Sequence, residues 1–354
     1  FSLPNMLKDA NENYVTSYFH NYYGYFYGRN MIMPSFGFDN AYFLENMPAY
    51  MDSSINPSGL PSEFSDFMLD SIMFTHSLEN IARQDSPFYS HITTVTMHGG
   101  YTMNHPRIAN NKNEIMNGFV NDYNRNYYSN TVFPEFGYNY TIPTNITDLD
   151  MFFNYKAAAM DTDKGIGILL NYLETTLDEF DTDGDGNTTE SLLDNTTIVV
   201  YGDHNTYMTS LTNKMKGLSD TDLFTTELYR IPLMIYDAKV LDKFTSENGT
   251  SHFETYTNTF NIVPTLLDIL GVDYFPAFYQ GNSVFAEDYQ VGFISIIGGI
   301  FDNNFFSYDT INILYRRDGA TEAELKRFQL LANSFYAKQI ELERIYKYNS
   351  FATK

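Results

Sequence analysis

The sequence predicts an α/β protein with a mostly parallel sheet sandwiched by helices. Three observations carry the prediction. Short apolar runs recur along the chain, at residues 14–19, 92–97, 198–201 and 231–236. Each reads as a buried strand, because it lacks the polar alternation of a half-exposed one. Helical patterns lie between these runs, and strands alternating with helices favour a parallel sheet covered on both faces.

The elements follow in order. Residues 148–180 read as one long helix, with Leu149, Phe152, Phe153 and Ala157, then Ile166, Leu169, Leu170 and Leu173, at helical spacing. Residues 261–270 read as a short helix: Pro264 sits in its first turn and Gly271 stops it. Residues 290–306 change character and suggest short strands around a Gly-Gly turn. Residues 321–346 form a closing amphipathic helix, with Leu325, Phe328, Ala332 and Phe335 on one stripe. The expected division is a main region, 1–288, and a small C-terminal α+β subdomain, 289–354.

Composition removes several function classes. The chain has 354 residues, 43% of them hydrophobic, ample for a sizeable core. With no cysteine, thiol nucleophiles, thiolate metal sites and disulfides are excluded. Lys and Arg number 21 against 44 Asp and Glu, a formal charge of −23. Such a chain is a poor nucleic-acid ligand, since phosphate neutralisation needs clustered cations. An anionic substrate would need local cations, and a bound metal is the obvious one. No run of about 18 apolar residues marks a membrane span. The chain opens on Phe1 with neither an initiator Met nor a signal peptide. That points to a mature or cut product.

Sites in parallel sheets lie off the carboxyl ends of strands. The run 198–201 leads through Gly202 into Asp203 and His204, a carboxylate and an imidazole that can ligate one divalent cation. A helix-capping Asp beside a surface His is the alternative. His98 follows the run 92–97 and precedes two glycines, so it too is expected at a strand end. His20 ends the first run. Arg29 follows a row of aromatics, and its fork suits phosphate or sulfate; packing on Tyr27 or Tyr25 is the alternative. His76, His91, His105 and His252 read as ordinary loop or surface histidines.

In order along the chain stand His20, Tyr27-Gly28-Arg29-Asn30, Gly37-Phe38-Asp39, Pro87-Phe88-Tyr89 before His98, and NTTIVVYGDH ending at His204. Arg230-Ile231-Pro232-Leu233 and IVPTLLDILG ending at Gly271 follow. This series resembles the lipoteichoic acid synthase branch of the sulfatase and alkaline phosphatase superfamily, over residues 3–290. The resemblance implies that Asp203 and His204 ligate a catalytic divalent metal, Mn2+ or else Mg2+ or Zn2+. It implies that His98 meets the phosphoryl group or the leaving oxygen, that Arg29 holds a phosphate oxygen, and that His20 lies in the same pocket. Tyr27 stands where those synthases carry Trp, and Gly28 where they carry Asn. The family's nucleophilic Thr and an acidic ligand would precede Phe1, so the nucleophile-bearing part is expected to be absent from this chain.

The implied function is an extracellular phosphoglycerol transferase acting on a phosphatidylglycerol-like donor through a covalent phospho-Thr. Its partners would be an anionic lipid headgroup or a glycerol-phosphate polymer, with membrane attachment only through an upstream segment. The alternatives are a phosphodiesterase or sulfatase on the same fold, and a catalytically silent surface-binding homologue.

A second motif lies at 178–194. Asp181, Asp183 and Asp185 alternate and Gly186 follows, as at the first six places of a calcium loop. Asn187 would offer its carbonyl, and Glu190 would substitute for the twelfth-place Glu, which is Leu192 here. A solvated acidic turn is the alternative.

Overall fold

The computed structural model describes residues 2–47, 68–98, 101, 106–121, 148–181, 184–206, 212, 216–217, 230–240, 251–252, 257–286, 300–301, 305–307 and 312–348. Helix α1 (Leu3–Ala10) starts with Pro4 in its first turn, where a missing N–H costs nothing. Strand β1 (Val15–His20) is buried along almost its whole length. It lies between two parallel neighbours, β2 (Asn40–Phe43) and β3 (Phe88–Thr93), with His20 opposite Phe43 on one side and Thr93 on the other. Helix α2 (Arg29–Ser35) follows a single 3-10 turn after β1.

Helices α3 (Asp70–Ile81), α4 (Pro106–Asn121) and α5 (Asp148–Thr175) form a helical layer, with α3 and α4 both packed on α5. Phe19 of β1 joins Leu44, Met47, Met73 and Phe74 in the core beneath. Phe152, Phe153, Ala157 and Leu173 are buried as the helical spacing requires. Leu170 is exposed, and Gly165 instead faces Phe74 and α3. Helix α5 stops at Thr175, short of the expected 180, because Leu177 pairs with Ser191 in an isolated bridge.

Strands β4 (Ile198–Tyr201) and β5 (Leu233–Tyr236) pair antiparallel. This departs from the parallel arrangement of β1–β3, since strand direction is set by the connection and not by the run itself. Helix α6 (Ile262–Ile269) ends in a Schellman motif: Val272 N–H reaches Leu267 at 2.8 Å, Gly271 N–H reaches Asp268 at 3.2 Å, and Gly271 has φ +64°.

A three-stranded antiparallel sheet, β6 (Ile300–Phe301), β7 (Phe305–Ser307) and β8 (Ile313–Arg316), precedes α7 (Glu322–Tyr348). Phe305, Phe328 and Ala332 are buried together there, with Leu325 and Phe335 packed against them.

The strand expected at 92–97 runs instead over Phe88–Thr93. Residues Thr94 to Met97 resemble a strand in their β-branched content, yet they form a turn in which His98 N–H bonds the Val95 carbonyl at 2.8 Å. His98 is therefore a loop residue five places beyond β3 and not a strand terminus.

Candidate active site

Tyr18 and His20 lie two apart on β1 and so share a face of the sheet. His20 is buried and its Nδ1 donates to the Thr93 carbonyl at 2.8 Å, which leaves a lone pair on Nε2. Burial lowers its pKa to about 4, with the charges of Arg29 and His98 acting in the same direction against the Thr93 hydrogen bond. Arg29 and His98 thus both stand within electrostatic reach of His20. The Tyr18 hydroxyl donates to Thr93 Oγ1 at 3.1 Å and feels both the charge and a hydrogen bond of Arg29.

Arg29 opens α2 after two residues in left-handed backbone, Tyr27 at φ 57° and Gly28 at φ 65°. That conformation suits glycine and is unusual for tyrosine. It turns the Tyr27 ring outward, and the Arg29 guanidinium lies 5.3 Å from the ring centroid. Arg29 also touches the Phe26 carbonyl at 3.4 Å. One flank of Arg29 thus rests on Tyr27, as the packing alternative expects, while its charge reaches His20 and Tyr18.

His98 is exposed. The neighbouring loop is tied by Tyr101, whose hydroxyl donates to the Met97 carbonyl at 3.2 Å. Burial, Tyr155 and Asp203 push the Tyr101 phenol up to about 12. Asp203 likewise raises Tyr201, after burial, and Tyr18 adds to that shift. Asp203, beyond the end of β4, thus acts on Tyr101 and Tyr201, and Tyr18 of β1 acts on Tyr201. The sequence marks Tyr18 and Tyr201 only as strand residues and does not mark Tyr101, for which its place two residues after Gly99 is the available signal.

Asp203 follows Gly202, whose role is close approach rather than a turn: an added Cβ would stand 3.2 Å from Ile231 Cβ. Asp203 Oδ1 accepts the His204 N–H at 2.9 Å, and Oδ2 lies 3.6 Å from His204 Nε2. His204 Nδ1 donates to the Asn205 carbonyl at 2.7 Å, so Nε2 is the ring nitrogen that faces Asp203. Two ligands bonded at about 2.1 Å to a tetrahedral ion stand about 3.4 Å apart. The pair therefore fits a divalent cation in both chemistry and spacing. Among the described residues no cluster of three or more such ligands forms.

Asp181 accepts the Gly186 N–H at 3.1 Å and is itself at φ 54°; Asp185 accepts the Asn187 N–H at 2.7 Å. Asn187 Nδ2 donates to Glu190 at 3.0 Å. Asp183 lies outside the described residues. Of the remaining histidines, His91 is no loop residue: it sits in β3, half-buried and stacked on Tyr18 at 5.6 Å, with desolvation lowering its pKa to about 4. His76 and His252 are exposed, and His105 lies outside the described residues.

The sulfatase family profile matches residues 1–182 and 186–272. Lipoteichoic acid synthase 1 of Bacillus subtilis is 25% identical over 328 residues, covering 92% of this chain and 41% of that protein. Lipoteichoic acid synthase of Staphylococcus saprophyticus is 23% identical over 289 residues, covering 82% of this chain and 35% of its own. The chain thus spans about two fifths of the length of these relatives. The crystal structure of the lipoteichoic acid synthase LtaP from Listeria monocytogenes superposes with a TM-score of 0.54 at 16% identity, over 97% of this chain and 72% of that one, which shows a shared fold. The chain belongs to the sulfatase family, as a lipoteichoic acid synthase-like member of the sulfatase and alkaline phosphatase superfamily.

Proposed function

We propose that residues 1–354 are the larger part of the catalytic domain of a phosphoglycerol transferase of the lipoteichoic acid synthase type, working on a phosphatidylglycerol-like donor at the extracellular face of a bacterial membrane. The observation that supports this reading is that Arg29 and His98 both stand within electrostatic reach of buried His20, while Asp203 stands within reach of Tyr101, three residues beyond His98.

In this reading Arg29 neutralises and orients a phosphodiester oxygen. Neutral His20 offers its Nε2 lone pair to a hydroxyl of the glycerol unit. Exposed His98 delivers a proton to the leaving alkoxide of the lipid. Asp203 and His204 would hold a divalent cation, manganese with magnesium or zinc as alternatives, which would lower the pKa of the attacking hydroxyl and offset charge on phosphorus. The attacking Thr, and a further acidic ligand, are assigned to sequence before Phe1. Membrane attachment is assigned there too. Nucleic acid is no partner of a chain with a formal charge of −23. Asp181, Asp183, Asp185, Asn187 and Glu190 form a second, structural site for calcium.

The test uses the gene product that contains this chain, with fluorescent phosphatidylglycerol and manganese. Diacylglycerol release is expected, falling at least about 100-fold in Arg29→Ala and His98→Ala. Manganese content, read by elemental analysis, is expected to fall in Asp203→Ala. Unchanged manganese in that variant would refute the ligand pair. Release undiminished by both other changes would refute the assigned roles.

A further inference from the structure

We propose that Asp70 is the positioning residue of this pocket: its carboxylate fixes the loop carrying His98 against the end of the strand carrying His20. Asp70 opens α3 and is completely buried. Its Oδ1 accepts from Asn21 Nδ2 at 2.6 Å, and from the backbone N–H groups of Val95 and Thr96 at 3.2 Å each. Its Oδ2 accepts from Thr162 Oγ1 of α5 at 2.6 Å, and its own N–H donates to Thr96 Oγ1 at 2.9 Å. Asn21 is the residue after His20. Val95 and Thr96 form the turn that leads into His98.

One oxygen therefore ties together the segments that present the two histidines. Among the described residues no hydrogen bond holds the His98 ring, so the place of that ring is set by the anchoring of its loop.

An aspartate in the first turn of a helix ordinarily serves the helix itself. Here that work falls to another residue. Asp161 of α5 accepts from Ser71 N at 3.3 Å and from Ser71 Oγ at 2.6 Å, and so satisfies buried donors at the start of α3. Asp70 is thereby left to the two loops. Its donors are neutral, so the bonding needs an acceptor oxygen at this point more than it needs a charge.

That distinction defines the test. Asp70→Asn keeps an oxygen toward Asn21, Val95 and Thr96, and its amide can donate to Thr162 Oγ1. Asp70→Ala removes the acceptor. Thr162→Val removes one bond of the same carboxylate but leaves the oxygen that faces the loops. Imidazole NMR signals, hydrogen exchange at the Val95 and Thr96 amides, and titration with inorganic phosphate are compared across the wild type and these variants.

The expected result is that Asp70→Ala shifts the His98 signals, speeds exchange at both amides by about tenfold or more, and weakens phosphate binding by about tenfold, the effect of one lost hydrogen bond. Asp70→Asn and Thr162→Val retain the wild-type His98 signals. The proposal is overturned if Asp70→Ala leaves the His98 signals unmoved, or if Thr162→Val moves them as far. Should Asp70→Ala fail to fold, Asn21→Ala, which cuts the tie to the strand end alone, is read by the same criteria. The phosphate arm rests on the functional reading above. If phosphate perturbs neither histidine in the wild type, that reading fails, while the imidazole and amide signals still decide the role of Asp70.

Discussion

His20 hands its Nδ1 proton to the carbonyl of Thr93, the residue paired with it across the β1–β3 ladder, at 2.8 Å. A backbone group of the neighbouring strand thus fixes the tautomer of a buried imidazole and directs its basic nitrogen away from the ladder.

The first prediction concerns pH. His20 and His91 both titrate at about 4 in the folded chain, below the ordinary 6.5, mainly because burial disfavours the imidazolium. The unfolded chain therefore takes up protons first as pH falls. Stability holds its full value above about pH 6.5 and declines between about 6.5 and 4, by up to about 3 kcal/mol per histidine. Urea unfolding across that interval checks this, and His91→Phe is expected to flatten the slope by about half.

A paired glycine experiment follows from α5. A Cβ on Gly165 would stand 2.6 Å from the Phe74 ring and 3.3 Å from the backbone of Asp70, whereas one on Gly167 meets nothing within 4 Å. Alanine gains about 1 kcal/mol of helix propensity at either place. Gly167→Ala should therefore stabilise by about that amount. Gly165→Ala should destabilise by about 1–2 kcal/mol, as overpacking between α3 and α5 outweighs the gain. Denaturant midpoints of the two variants should move in opposite directions.

Tyr101 offers a milder probe of the His98 loop. Its phenol, pushed up to about 12, remains a donor to the Met97 carbonyl throughout the range where the fold survives. Tyr101→Phe is expected to cost about 1 kcal/mol in urea unfolding. Phosphate affinity should fall by about fivefold as the loop loosens. An unchanged affinity would place the loop outside the anion pocket.

Calcium should stabilise the chain through the acidic turn. At a calcium concentration of about 100 times Kd the gain is about 2.7 kcal/mol, read as a rise in Tm. Asp181→Ala and Asp185→Ala should abolish the rise, and Asp203→Ala should leave it intact. A calcium response that survives both of the first two changes would rule out this turn as the site.

Parts of this molecule are legible because their causes are local. The helix at 262–269 announces itself through Pro264 and through Gly271, which alone fits the left-handed closing residue without strain. The strand at 198–201 is bounded in the sequence where it is bounded in space. The stripe from Leu325 to Phe335 buries as its spacing requires.

The frame of β3 was not legible. Residues Phe88 to Thr93 carry Ser90 and His91 and look too polar for a core strand, while the β-branched residues after them look like one. Pairing along β1 fixes Phe88–Thr93 as the strand, and Asp70 holds the later residues in a turn. Nor does a short apolar run state its direction, which is why the antiparallel β4–β5 pair came only from the structure.

The sequence by itself determined the alternation of strands and helices, the acidic surface, and which imidazoles, carboxylates and guanidinium are available for chemistry. Periodicity and residue type act over a few neighbours, so they are readable without coordinates. Only the tertiary structure decided that His98 hangs on a loop, that Asp203 acts on Tyr101 and Tyr201, and that Asp70 joins segments lying 49 and 26 positions from it. Such contacts pair groups distant in the chain, and their partners are chosen by packing and by the cost of burying an unsatisfied polar atom.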